Sequence, residues 1–150
     1  KAKEVALKVA TSFEHIGLLA VEMFQTENDE IIVNEVAPRT HNSGHYSIEA
    51  SFTSQFEQHL RAILDLPLGD PSMTAPFAVM ANILGSNKQD MYRPYLHLMA
   101  RTPGLKFHHY KKEVRPGRKI GHVTLLGKDL VELTQEVKHA LDYMSGEIDE

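Results

Sequence analysis

The sequence contains no cysteine and no tryptophan. Without cysteine there is no disulfide framework, no thiolate metal site and no cysteine nucleophile, and such a chain fits the cytoplasm. No apolar run approaches the roughly 18 residues that a membrane-spanning helix needs, and no signal-peptide pattern opens the chain. An excess of one charge is also missing. The 16 basic and 20 acidic residues leave −4 over 150 residues, which excludes a nucleic-acid binder working through overall charge. What remains is an ordinary globular composition, 42% hydrophobic and 24% charged, with enough apolar mass for a core. Histidine, at 9, is abundant for this length. The first residue is Lys1, which enters helical periodicity without a cap and reads as the cut end of a longer chain.

The spacing of Val5, Ala6, Val9, Ala10 and Phe13 predicts a helix over 3–14. Residues 17–25 and 31–37 read as two strands of a hairpin, joined by the polar turn Glu27-Asn28-Asp29-Glu30. A loop follows over 38–46. A helix is expected over about 54–65, with a capping box from Ser54 and Glu57 and with Phe56, Leu60, Ile63 and Leu64 as its buried face. Pro67, Pro71, Pro76 and Gly69 mark the best boundary. The expected organisation is therefore a first domain over 1–66, a linker over 67–76 and a small second domain over 77–150. That second domain reads as strand 77–84, a helix opening near Pro94, strands 105–111 and 119–126, and an amphipathic helix 129–145 closed by Gly146. The fold class is α+β.

A two-residue turn at Asn28-Asp29 would place Glu22 opposite Glu35 on one face of the hairpin. Like charges so placed repel, more strongly if Ala20, Phe24 and Val33 surround them. Relief comes from protonation of one carboxyl or from a cation between the two, and carboxylate oxygens favour a hard ion such as Mg²⁺. A merely solvated hairpin face is the competing reading, and a one-residue slip in register would remove the juxtaposition.

After Glu35 the chain reads Ala-Pro-Arg39-Thr40-His41-Asn42-Ser43-Gly44-His45. A fixed cation, two imidazoles, an amide and a hydroxyl suit the binding of a small anion. His41 and His45 have the spacing of a helical zinc pair, but Asn-Ser-Gly between them argues for a loop and no third ligand stands out. Over 106–119, six cations face Glu113 alone, a local charge of +5 that leaves −9 for the other 136 residues. Lys112, Arg115, Arg118 and Lys119 flank the Pro116-Gly117 bend and are placed to converge on one phosphate. A solvated charge run is the plain alternative. Nucleic acid is disfavoured, since only Phe107 and Tyr110 offer stacking surfaces.

The segments GLLAVEMF, IIVNEVAPRTHNSGHYSIEA and YKKEVRPGRKIGH resemble the carboxyl-terminal part of the 5-(carboxyamino)imidazole ribonucleotide synthases of the ATP-grasp superfamily. The resemblance covers essentially the whole chain. It implies the last part of an ATP-grasp domain, built of antiparallel strands and helices, followed by a small mixed α/β domain. It also implies an ATP-dependent ligase that carboxylates 5-aminoimidazole ribonucleotide with bicarbonate, through carboxyphosphate, in purine biosynthesis. Glu22 and Glu35 match metal-binding acids for Mg²⁺, with Mn²⁺ as the alternative. Asn34 and Glu35 stand beside the ATP phosphates. Arg39, His41 and Asn42 match the loop that handles bicarbonate and its activated form, with Ser43 and His45 secondary. Lys112, Arg115, Arg118 and Lys119 fall where the ribonucleotide phosphate is held. A cytoplasmic homodimer, with no nucleic-acid or membrane partner, is the family expectation.

Tyr46 departs mildly from the aromatic usual after the second loop histidine. The family's adenine-binding linker and lid lysines have no counterpart in these residues, so the 150 residues alone are expected to lack synthase activity. The competing readings are a sibling ATP-grasp carboxylase or ligase, against which the HNSGH and RPGRK segments speak, and a non-catalytic phosphate- or nucleotide-binding module.

Overall fold

The computed structural model describes residues 1–149, and the chain divides into two units, Lys1–Ser72 and Met73–Glu150. In the first unit, helix α1 spans Ala2–Ser12. Strands β1 (Ala20–Gln25) and β2 (Ile31–Ala37) pair antiparallel into a two-stranded sheet. A single 3-10 turn, Asn42–Gly44, and the short helix α2, Ser47–Ala50, follow. Helix α3, Gln55–Ile63, closes this part. Ser54 caps α3 by accepting from the Glu57 amide at 3.3 Å. The Glu57 carboxylate turns instead to Arg61, one helical turn on, at 2.6 Å.

Three expectations are corrected here. The hairpin turn is not two residues long. The Thr26 amide donates to the Glu30 carbonyl at 2.9 Å, the loop is 27–29, and Asp29 takes φ +61°, the three-residue hairpin with a left-handed last position. Phe56, Leu60, Ile63 and Leu64 are exposed rather than buried; the side of α3 that is turned inward carries Gln55, Gln58, His59 and Ala62. The amphipathic pattern located a stripe correctly but not what covers it. Finally, the first half of the expected linker belongs to the first unit: Gln58 makes a two-way amide pair with the backbone of Gly69, at 2.6 and 3.0 Å, and the Thr53 amide donates to the Asp70 carbonyl.

The second unit is a three-stranded antiparallel sheet of order β3-β5-β4 with two helices packed on it. Its elements are β3 (Phe77–Leu84), α4 (Tyr92–Arg101), β4 (Lys106–His109), β5 (Lys119–Gly127) and α5 (Leu130–Ser145). Strand β5 is central and nearly all buried, as its run of Ile120, Val123, Leu125 and Leu126 requires. Asp129 caps α5 through the amides of Val131 and Glu132, and Gly146 ends it at φ +85°. Leu133, Val137, Ala140 and Met144 of α5 meet Ile83, Leu98, Ile120 and Val123 in one apolar core. Leu130, expected on that face, is exposed. Among the described residues, no helix is long and apolar enough to cross a membrane.

Candidate functional site

The hairpin register does place Glu22 opposite Glu35, although the turn differs from the expected one. A register shift between Glu22 and Met23 compensates: Glu22 pairs with Glu35 but Met23 pairs with Val33, so Asn34 is an extra residue on β2. This is a β-bulge. It brings the Asn34 amide to the Glu22 carboxylate, Nδ2 to Oε2 at 3.5 Å. It also moves Val33 to the opposite face, so Val33 does not flank the acids. Phe24 is mostly exposed, and the low-dielectric setting expected around the two carboxylates is not what the hairpin provides.

The loop after β2 curls back onto the pair. His41 caps the 3-10 turn, its Nδ1 accepting from the Ser43 amide at 3.3 Å, and its Nε2 lies 3.2 Å from Glu22 Oε1. Ligand atoms of Glu22, Glu35 and His41 all lie within 4.8 Å of one another. Two carboxylates and an imidazole so gathered, with both acids exposed, fit a divalent cation after a small closure of the side chains. Arg39 is exposed and donates to the Thr40 carbonyl. Asn42 opens the 3-10 turn. A cavity of about 350 Å³, lined in part by Glu22, His41, Ser43, Ser47 and Gln55, lies beside this cluster.

Gln55 escapes sequence reading. At 6% exposure its side chain ties the loop together, accepting from the His41 amide at 3.0 Å and donating to the His41 carbonyl and to His45 Nδ1, each at 2.8 Å. Nothing local marks it, because its partners lie 10 to 14 residues away. His59 is a second such residue: its Nδ1 accepts from the Leu18 amide at 2.9 Å.

In the second unit the basic segment folds over a turn from Arg115 to Arg118, whose Arg118 amide donates to the Arg115 carbonyl at 3.0 Å. Gly117 has φ +74° behind Pro116, the type II arrangement that needs glycine at its third position. The turn is pinned to Gly85 by two backbone bonds of 2.8 and 2.9 Å. The four cations do not converge on one point. Arg115 pairs with Glu113 at 2.6 Å and Arg118 donates to the Glu113 carbonyl, whereas Lys112 and Lys119 sit over the Tyr110 ring at 5.5 and 5.6 Å from its centroid. The Tyr110 hydroxyl bonds His122 Nδ1 at 2.6 Å, and buried His122 stacks on His108 at 4.3 Å. Burial, and then the charge of Lys112, pull the Lys119 ammonium below the usual lysine range. Tyr110 was legible only as an aromatic among lysines; its role as their common platform depends on the pairing of β4 with β5.

Residues 1–56 match the ATP-grasp domain family, and residues 78–136 match the phosphoribosylaminoimidazole carboxylase C-terminal domain family. The fold class is thus a stretch of ATP-grasp domain followed by this smaller domain. Over nearly its whole length the chain resembles the N5-carboxyaminoimidazole ribonucleotide synthases. It is 45% identical over 147 residues to the Mycobacterium tuberculosis synthase, which covers 96% of this chain and 34% of that protein. Among solved structures, the synthetase of Thermotoga maritima superposes with a TM-score of 0.80 at 43% identity, over 93% of this chain and 39% of that one. The Aspergillus clavatus synthase in complex with ADP and 5-aminoimidazole ribonucleotide does so with 0.82 at 38% identity, over 95% of this chain and 39% of that one. The chain spans about a third of the length of the curated relatives it matches.

Proposed function

We propose that this chain carries part of the active site of an ATP-dependent carbon–nitrogen ligase, one that carboxylates the exocyclic amine of 5-aminoimidazole ribonucleotide with bicarbonate in purine biosynthesis. The gathering of Glu22, Asn34, Glu35 and His41 by the bulged hairpin and the following loop carries this reading. Relatives named N5-carboxyaminoimidazole ribonucleotide synthase, one of them solved with ADP and the ribonucleotide, support it.

Glu22 and Glu35 would hold Mg²⁺, or Mn²⁺ in its place, and the Asn34 amide stands ready for a nucleotide phosphate. When bound, the ion neutralises phosphate oxygens during attack on the terminal phosphate of ATP. Arg39, His41 and Asn42 take the bicarbonate oxygens and then the carboxyphosphate, whose charge Arg39 offsets. The amine attacks the activated carboxyl and phosphate leaves, so no side-chain nucleophile is required. Lys112 and Lys119, on their Tyr110 platform, hold the ribonucleotide phosphate, and Arg115 and Arg118 join them when they leave Glu113. Homodimeric assembly and a cytoplasmic setting follow from the resemblance.

The test is a chimaera in which this chain replaces the aligned segment of the Thermotoga maritima synthetase. Glu35→Gln is expected to cut formation of the carboxylated ribonucleotide by roughly a thousandfold, about 4 kcal/mol of transition-state stabilisation. Lys119→Ala should raise the Michaelis constant for the ribonucleotide and leave that for ATP in place. Full turnover in the Glu35→Gln chimaera would overturn the reading.

A further inference from the structure

The side-chain amide of Gln55 has an orientation that its partners dictate. Its Oε1 faces the His41 backbone N–H at 3.0 Å and its Nε2 faces the His41 carbonyl at 2.8 Å. A backbone N–H only donates and a carbonyl only accepts, so oxygen and nitrogen of the amide cannot be exchanged. The second proton on Nε2 then points along the 2.8 Å contact to His45 Nδ1. A ring nitrogen that accepts a hydrogen bond carries no proton, so neutral His45 has its proton on Nε2.

The surroundings hold this arrangement in place. Gln55 is buried. The Ser47 hydroxyl accepts from the Gln55 backbone amide at 2.9 Å and donates to the Gly44 carbonyl at 2.6 Å. A Cβ on Gly44 would lie 2.4 Å from Gln55 Oε1, closer than any such contact tolerates. The His45 ring rests against Phe56, with centroids 5.5 Å apart.

We propose that Gln55 is a positioning residue that fixes His45 in the tautomer with an unprotonated Nδ1 and locks it to the backbone of His41, so that the 41–45 loop is already set when its ligand arrives. That this ligand is bicarbonate and then carboxyphosphate rests on the function proposed above. The arrangement costs no reorganisation when the ligand arrives, because the amide clamp is already closed.

The tautomer is read directly from two-bond proton–nitrogen correlation spectra of the ¹⁵N-labelled chain, recorded above the imidazole titration and without ligand. His45 is expected to show an unprotonated Nδ1 and a protonated Nε2. Gln55→Glu keeps the shape but loses both donors, and should move the His45 proton to Nδ1, facing the new carboxylate. Wild-type His45 protonated on Nδ1 would overturn the proposal, and this result needs no variant to fold. An unchanged pattern in a folded Gln55→Glu chain would overturn it too. In the chimaera, Gln55→Glu should lower kcat on the order of a hundredfold with the Michaelis constant for the ribonucleotide unchanged; full kcat would remove the positioning role. A chimaera that turns over no bicarbonate would count against the proposed function alone, since the tautomer is measured without substrate.

Discussion

The two units bury different things. In the second, an apolar core of Ile83, Leu98, Ile120, Val123, Val137 and Met144 joins the sheet to α4 and α5. In the first, the buried apolar residues are Ala37 and Ala50, and beside them stand the polar Ser47, Thr53 and Gln55. Many of its large apolar groups are exposed, and Phe13, Ile16, Phe52 and Leu64 are each more than 60% so. The second unit is held by the transfer of hydrocarbon out of water. The order of the first is set by directional bonds: the Gln58 pairing with Gly69, the His59 bond to Leu18, the Gln55 clamp. Such bonds contribute about 1 kcal/mol each, yet they fix orientation, which a site for small anions and cations requires.

The sharpest way to break this contrast is to truncate one leucine in each unit. Leu98 is fully buried and Leu60 is about half exposed. Leu98→Ala should destabilise the second unit by about 3 kcal/mol. Denaturation followed by tyrosine fluorescence reports on it, since Tyr92, Tyr95, Tyr110 and Tyr143 lie there and Tyr46 alone lies in the first unit. Leu60→Ala should stay within about 0.5 kcal/mol, read as hydrogen exchange along α3. Equal losses would mean that the α3 stripe is packed in solution and that the two units do not differ in kind.

The next largest effect concerns two glycines against which a neighbour is pressed. At Gly85 a Cβ would meet the Arg115 backbone carbonyl at 2.3 Å; at Gly44 it would meet the end of the Gln55 side chain at 2.4 Å. Backbone tied by the two bonds between Gly85 and the turn cannot step aside as a side-chain end can, so Gly85→Ala should cost about 1–3 kcal/mol and displace the Arg115–Arg118 turn. Gln55 can swing away, so Gly44→Ala should cost about 1 kcal/mol while releasing His45. Thermal unfolding separates the two, and a Gly85→Ala chain as stable as Gly44→Ala would show that the turn is not anchored at Gly85.

Much of this was legible in the sequence, for reasons that differ by region. The second unit follows its pattern closely: the Leu133, Val137 and Met144 spacing, the Asp129 cap and the Gly146 stop determine α5 with no long-range information. In the hairpin, Glu22 and Glu35 were matched from a two-residue turn that does not exist, and the bulge at Asn34 restored the pairing. Sequence carries strand periodicity but gives little warning of a bulge, and here the bulge is what adds Asn34 to the acidic face. The α3 stripe was visible, but the pattern is silent on whether a partner covers it. Gln55 was not visible, because its meaning lies in bonds to residues 10 and 14 positions earlier. The cations of 106–119 were counted correctly as charge, yet Glu113 within the run captures Arg115, and composition does not show which charges neutralise each other.

The smallest effect tests whether the apolar unit owes anything to charge. Glu136 on α5 receives hydrogen bonds from the Thr102 hydroxyl at 2.9 Å and from Arg101 at 2.5 Å, tying α5 to the end of α4. Burial alone would push its carboxyl up, but these two donors and the Arg101 charge together hold it below the usual carboxylate range. A carboxyl depressed in the folded state stabilises that state above its unfolded pKa, and the gain is lost as pH falls through the folded value. Glu136→Gln should therefore destabilise the second unit at neutral pH, with the difference shrinking as pH falls below the usual carboxylate range and vanishing only below the depressed folded value. Both partners keep about a third of their side-chain surface in water, which limits the difference to about 0.5–1 kcal/mol. Paired urea titrations at neutral and acid pH measure it. A neutral-pH loss rivalling that of Leu98→Ala would place this polar tie on a level with the core, and the two units would then be held by the same kind of force.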